Sequence, residues 1–98
     1  MSTYVLMTKL APELQRQMKD REEMGRQFLA LVGQKCPQVR WIAHYALLGP
    51  YDFMDVFEAP SETEAAKVSM ISQSLGAARA ESWTAIPYSR FLDLVKEI

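Results

Sequence analysis

A tight turn at residues 47–53 divides two long apolar runs, residues 39–48 and residues 51–59. Gly49 tolerates backbone angles that other residues avoid, and Pro50 fixes φ near the value that a turn needs at its second position. The two runs are therefore predicted to be strands that this turn connects. We interpret them as the two central strands of one sheet, which the rest of the chain covers.

The segments before and after this hairpin predict further strands and a long helix. Residues 3–10 are rich in β-branched, aromatic and aliphatic side chains and predict a first strand, as residues 78–86 predict the last one. Pro12 suits the first position of a helix, and helical spacing of apolar residues continues to Gly33, which is predicted to end that helix. We attribute Gly25, inside the helix, to a close approach to the sheet.

Two more helices are predicted in the second half of the chain. Ser61 and Glu64 match a capping box at a helix start, and Gly76 is placed to end that helix. After the last strand, Ser89 is predicted to cap a short final helix with an apolar side. The order βαββαβ plus a C-terminal helix predicts an α+β, ferredoxin-like fold with an antiparallel sheet, in a single domain of residues 1–98.

Alternation along the two hairpin strands assigns the candidate functional residues to faces of the sheet. In the first of these strands, alternation places His44, the only histidine, on the face of Ile42 and opposite to Trp41. In the second strand, it places Asp55 on an aromatic face together with Tyr51. An unpaired acid on such a face is costly, so Asp55 is expected to have a partner, a water-filled cavity or a position at a sheet edge.

Two helices are expected to cover only one face of this sheet. The other face is expected to carry Trp, Phe, Tyr and Met side chains, which form too apolar a surface to leave in water. A second copy of the chain is the simplest cover, since twofold dimers are the commonest oligomers. The pattern therefore predicts a homodimer, with the final helix packed either on its own domain or on the second subunit.

The turn and the strand after it carry a resemblance to a known family. The pattern is Gly-x-Tyr-Asp followed by an apolar strand that ends near Glu-Ala-Pro, on Leu48, Gly49, Pro50, Tyr51, Asp52, Phe53, Val56, Glu58, Ala59 and Pro60. Together with Tyr4 and residues 79–82, the chain resembles the GYD domain family from about residue 3 to residue 86. The resemblance implies a small ferredoxin-like domain that pairs as in dimeric α/β-barrel proteins, and it implies little chemistry.

Composition and charge argue against several classes of partner. A net charge of −1 argues against DNA or RNA, because binding to a phosphate backbone needs a basic surface. No apolar run reaches membrane-spanning length and no signal peptide is recognisable, so we expect no membrane partner. Cys36 is the only cysteine, which excludes an internal disulfide and fits a reducing compartment. We therefore expect a cytoplasmic protein.

The sequence indicates no bound metal and no cofactor. One histidine without a cysteine pair cannot build a zinc site of the usual kind. A glycine-rich loop that would surround a phosphate group is also missing from the sequence. We expect the chain to work without either group.

The first functional hypothesis is a homodimeric module that binds a small molecule, acts as a sensor or docks a partner protein. Such a module needs a cavity with a few polar groups between the sheet and the dimer mate. The candidate ligand-binding residues are Lys9, His44, Tyr51, Asp55 and Glu81. We favour this hypothesis because no stretch of the chain carries a catalytic signature.

The alternative is an enzyme of the dimeric α/β-barrel type, such as a cofactor-independent oxygenase, isomerase or decarboxylase. His44 would transfer a proton, because imidazole titrates near neutral pH, and Asp52 or Asp55 would orient its ring. Asp52 is otherwise explained as a turn residue whose carboxylate accepts backbone N–H groups. An open cavity that holds His44 beside a carboxylate favours the enzyme, whereas a buried His44 bonded to backbone argues against it.

Overall fold

The computed structural model describes residues 1–98 and contains four strands and four α-helices. In chain order they are β1 (Ser2–Leu10), α1 (Pro12–Gln15), α2 (Arg21–Lys35), β2 (Arg40–Ala46), β3 (Phe53–Ala59), α3 (Glu62–Ser74), β4 (Ala77–Ala85) and α4 (Tyr88–Lys96). A 3₁₀ turn at Met18–Asp20 lies between α1 and α2. The order agrees with the predicted βαββαβ pattern and its additional C-terminal helix.

The four strands form one antiparallel sheet in the order β2-β3-β1-β4. This is the ferredoxin-like α+β arrangement that the sequence predicts. The prediction that both hairpin strands are central is wrong, because β2 lies at the sheet edge, while β1 pairs with β3 on one side and with β4 on the other. The helical crossover from β1 to β2 leaves a gap between these two parallel strands, and β3 fills that gap.

α2 and α3 both pack on one face of the sheet, which we call the helical face. It is defined in the two central strands by the side chains of Tyr4, Leu6, Thr8, Phe53, Asp55 and Phe57. The buried core lies between this face and the two helices, and its members are Tyr4, Leu6, Val32, Cys36, Phe57, Ala59, Ala65, Val68 and Ala80. Removal of these side chains from water is the main stabilising contribution to such a fold.

The other face of the sheet, which neither α2 nor α3 covers, is called the open face. It is defined by the side chains of Thr3, Val5, Met7, Lys9, Ala43, Tyr45, Met54, Val56, Glu58, Arg79, Glu81 and Trp83. The predicted Trp, Tyr and Met side chains are present there, but the phenylalanines of β3 lie on the helical face instead. Trp83 and Tyr45 remain 47% and 54% exposed, so the open face leaves large aromatic side chains in contact with solvent, beside the charged residues Lys9, Glu58, Arg79 and Glu81.

The C-terminal helix α4 also leaves its apolar side in solvent. Leu92 and Phe91 lie three and four residues before Val95 on one side of this helix, and the three side chains are 40–47% exposed. The sequence predicts that this side packs either on its own domain or on a second subunit. The exposure of the three side chains shows that it does not pack fully on its own domain.

The predicted long helix between β1 and β2 is interrupted. Residues 16–20 separate α1 from α2, and Gln17 adopts the non-helical angles φ −93° and ψ 60°. α2 then continues past Gly33, so the prediction that this glycine ends the helix is wrong. Pro37 supplies the stop, because proline disfavours helical backbone in the preceding residue, and Cys36 accordingly has φ −132° and ψ 67°.

The Ser61 cap and the Gly76 end of α3 are confirmed, although the Glu64 carboxylate pairs with Lys67 and does not complete the capping box. The predicted cap of α4 is corrected. The Ser61 hydroxyl accepts the Glu64 N–H at 3.3 Å, and Gly76 follows α3 with a φ of 107°, which favours glycine. The prediction that Ser89 caps the final helix is wrong, because the N-cap is Pro87 and Ser89 lies inside the helix. The proline ring fixes φ at the helix start, here at −53°.

Substitution by alanine is expected to have opposite effects at Gly76 and Gly25. At Gly76 the positive φ strains any side chain, and a Cβ atom would lie 2.5 Å from Cδ1 of Leu14, so Gly76→Ala should destabilise the fold by about 1 kcal/mol or more. At Gly25 a Cβ atom would meet nothing within 4 Å, so the predicted close approach is wrong. Gly25→Ala should therefore stabilise α2 by about 0.5–1 kcal/mol.

Urea denaturation of the two variants measures this difference in the free energy of unfolding. Gly33→Ala is the matched control for the stabilising change, because it also adds a methyl group to α2 in open space. Equal stability of Gly76→Ala and Gly25→Ala would contradict the backbone assignment at Gly76.

Candidate functional site

A bulge in β2 decides which side chains of this edge strand face the helices. Between Trp41 and Ala43 the pairing with β3 shifts, which leaves Ile42 as an extra residue. One extra residue reverses the faces of all residues after it, because side chains alternate with a period of two. His44 consequently lies opposite Asp55 on the helical face. The prediction that His44 shares a face with Ile42, opposite to Trp41, is wrong for this reason.

His44 and Asp55 form a hydrogen-bonded pair through Nδ1 and Oδ1. The Asp55 side chain is 9% exposed and the His44 side chain 65% exposed, so the imidazole shields the carboxylate from water. A carboxylate accepts hydrogen bonds, so Nδ1–H donates to it and Nε2 is left as the accessible basic nitrogen. Burial raises the pKa of Asp55, and the charge and hydrogen bond of His44 partly offset that rise.

The His44–Asp55 pair borders a cavity of about 260 Å³ between α2 and the helical face. Seven of its 14 lining residues are hydrophobic. The polar and charged side chains that line it are Thr8, Arg21, Glu22, His44, Asp55 and Ser72. An apolar cavity with a few convergent polar groups is the usual form of a small-molecule site.

Arg21 and Phe53 complete this site, although the sequence did not single them out as functional. The guanidinium carbon of Arg21 lies 5.7 Å from the Phe53 ring centroid, and the same ring stacks on the imidazole of His44 at 5.7 Å. Nη2 of Arg21 donates to the Gln15 carbonyl at 3.4 Å, while its Nε is buried without a hydrogen-bond partner. The signal that points to Arg21 is its charge at an otherwise apolar position of the helical repeat.

Three candidate ligand residues lie on the open face and therefore away from the cavity. The Tyr51 hydroxyl donates to Oε1 of Glu81 at 3.1 Å, and Nε1–H of Trp83 donates to the same oxygen at 2.9 Å. Lys9 lies on this face as well. The predicted alternation placed Tyr51 beside Asp55, but the regular strand does not yet include Tyr51. The candidate set thus divides between the two faces of the sheet.

Asp52 joins the turn to β1 and α1. Its Oδ2 accepts the Leu10 N–H at 2.7 Å and the Gln15 side-chain amide at 3.3 Å. Its own N–H donates to the Thr8 carbonyl at 2.8 Å. The carboxylate of Asp52 is therefore engaged at the turn, and Asp55 is the acid that contacts His44.

The amino-acid sequence matches the model of the GYD domain over residues 4–95. The chain belongs to the GYD domain family. The resemblance noted in the turn, in the strand after it, at Tyr4 and in residues 79–82 is thereby confirmed, and the GYD match extends further toward the C-terminus, into α4.

A relative of this GYD chain comes from Thermus thermophilus and is described as a glutamine synthetase and cystathionine beta-lyase binding protein. The two are 36% identical over 58 residues, which make up 59% of this chain and 61% of the relative. The match therefore spans less than two thirds of the relative's length. No solved structure matches the chain.

Two further features of the GYD chain concern membranes and metals. Its helices are too short or too polar for any of them to cross a bilayer. Its His, Cys, Asp and Glu side chains form no group of three or more that could hold a metal ion, and the cavity offers only His44, Asp55 and the outward-turned Glu22.

Replacement of His44 is expected to raise the pKa of Asp55 further. In His44→Gln the carboxylate stays largely buried, but the imidazole charge that lowers its pKa is lost. A pH titration followed by NMR of the Asp55 carboxyl carbon measures this pKa in wild type and variant. An unchanged or lower pKa in His44→Gln would contradict the pairing.

Proposed function

We propose that this GYD chain is a homodimeric binding module that holds a small molecule in the cavity and meets other protein surfaces through the open face. The observation that carries the proposal is that one strand serves both surfaces. Asp55 of β3 borders the cavity, while its neighbours Met54 and Val56 lie on the open face. A ligand in the cavity therefore contacts the strand that a protein partner also contacts, which suits a sensor.

The exposed apolar side chains support self-association through the open face. Trp83 and Tyr45, from opposite edges of the sheet, frame a surface on which Val5, Met54 and Val56 also lie. A contiguous apolar surface of this kind usually marks an interface. Two such sheets packed face to face would bury it, at the spacing of about 10 Å that is normal for stacked sheets.

The Thermus relative supports protein partners in addition to a second copy. Its description names two enzymes as proteins that it binds. We propose that this chain shares the ability to bind other proteins, and that the exposed apolar side of α4 contributes to that contact or to the dimer.

Wild-type protein is expected to sediment as a dimer at micromolar concentration, and Trp83→Lys as a monomer. A lysine at position 83 would have to be desolvated in an apolar interface, which is costly. On the monomer it can pair with Glu81, so the variant should keep its fold. Analytical ultracentrifugation measures the mass of each species.

Met70→Lys is the matched control for this test. Met70 is 63% exposed on α3, on the helical side of the sheet, so the same change there should leave the dimer intact. A monomeric wild type, or a Trp83→Lys variant that remains dimeric, would rule out the open face as the dimer interface.

An enzyme of the dimeric α/β-barrel type is the second candidate, because an open cavity does hold His44 beside a carboxylate. In this proposal Nε2 of His44 would accept or donate a proton, and the contact of Nδ1 with Asp55 would fix the orientation of the ring. An oxygenase, an isomerase or a decarboxylase that uses no cofactor can use such a group for proton transfer.

For any reaction of a ligand in this cavity, His44→Gln is expected to lower turnover by about 10²–10⁴-fold, which is the usual contribution of a general acid or base. Tyr45→Phe, at the next residue but on the open face, should leave turnover unchanged. Equal turnover of His44→Gln and wild type would exclude the acid–base role and leave the binding module.

A further inference from the structure

Arg21 is the only lysine or arginine that lines the cavity, and it forms no ion pair with the chain. Its Nε is buried without a partner, and its hydrogen bond to the Gln15 carbonyl is long, at 3.4 Å. Proteins rarely leave a buried donor unpaired, because its lost contact with water is then not replaced. The chain thus leaves the guanidinium charge of Arg21 uncompensated at the wall of a cavity that an anion could enter.

The two acidic residues of the cavity wall do not neutralise Arg21. The Glu22 side chain is 85% exposed and turned toward Arg26, with Oε1 3.6 Å from Nη1. Asp55 is bonded to His44. The guanidinium charge of Arg21 therefore has no ion-pair partner within the chain.

The start of α2 lies at the same end of the cavity, where Arg21, Glu22, Met24 and Gly25 line the wall. The acidic side chains of the N-cap Asp20 and of Glu22 and Glu23 in the first turn offset the positive end of the helix dipole. The Arg21 N–H also donates to the Met18 carbonyl. The preference of this wall for an anion therefore rests on the guanidinium of Arg21.

The remaining walls of the cavity are apolar. Phe53 stacks below Arg21, and Leu10, Leu14 and Phe28 contribute further hydrophobic surface. The volume of about 260 Å³ is slightly below the range of about 300–1,000 Å³ that is typical for drug-sized ligands. A ligand that fits is small, with an apolar body and one anionic group.

We infer that the cavity binds a small organic carboxylate, with the carboxylate on the guanidinium of Arg21 and the apolar body against Phe53. This inference rests on the proposed function and specifies the chemical class of its ligand. The planar fork of an arginine matches the two oxygens of a carboxylate. Nε2 of His44 offers a second polar contact. Inorganic phosphate is the less suitable anion, because it has no apolar part for the hydrophobic walls.

Titration of ¹⁵N-labelled protein with benzoate tests this inference by NMR. We expect saturable shifts of the amide signals of Arg21, His44 and Phe53. Benzamide, which has nearly the same shape without the charge, should bind much more weakly. Arg21→Gln should weaken benzoate binding on the order of 10-fold to 100-fold, as for the loss of a hydrogen bond to a charged group. The affinity of Arg21→Lys for benzoate should lie between those of wild type and Arg21→Gln, since lysine keeps the charge but lacks the planar fork of arginine.

Lys35→Gln is the matched control, because it removes a positive charge from the other end of α2, where the side chain is exposed. It should bind benzoate like wild type, and the dispersion of the amide spectrum confirms that each variant is folded. Wild type that binds no benzoate, Arg21→Gln that binds it normally, or equal binding of benzamide or phosphate would each overturn the inference. A dimer that binds no benzoate would contradict this inference and leave the dimeric module standing.

Discussion

Burial of the Asp55 carboxylate is the constraint on which the site depends. A carboxylate that is 9% exposed among aromatic rings is costly unless a donor meets it. The donor is His44. It reaches Asp55 only because the bulge at Ile42 reverses which side chains of β2 face the helices. The same reversal keeps Tyr45 on the open face. The bulge at the sheet edge therefore places His44 beside Asp55 at the cavity, and it places the aromatic side chain of Tyr45 on the open face.

Much of the fold could be predicted from short-range signals. The order of strands and helices, the cap at Ser61 and the left-handed glycine Gly76 each follow from residues close together in sequence. Strand order could not be predicted in this way, because the position of β1 between β3 and β4 depends on pairing between distant segments. The break near Gln17 could not be predicted either, since no glycine or proline marks it.

The candidate site could be predicted only in part. Residue type points to His44, and strand alternation points to Asp55, whose position on an aromatic face indicates that it needs a partner. Their shared face was missed because strict alternation has no means of locating a bulge. Tyr51 was assigned to the wrong face for a similar reason, since regular alternation begins only where the strand does. A role of Arg21 in the site could not be predicted, because it depends on a cavity whose walls come from segments far apart in sequence.

The most direct measurement of this arrangement is the set of NOEs from the His44 ring protons. We predict NOEs to the ring protons of Phe53, whose centroid lies 5.7 Å from that of the imidazole on the helical face. NOEs to Met54 or Val56 instead would place His44 on the open face. That result would remove the bulge, the pairing with Asp55 and the cavity site together.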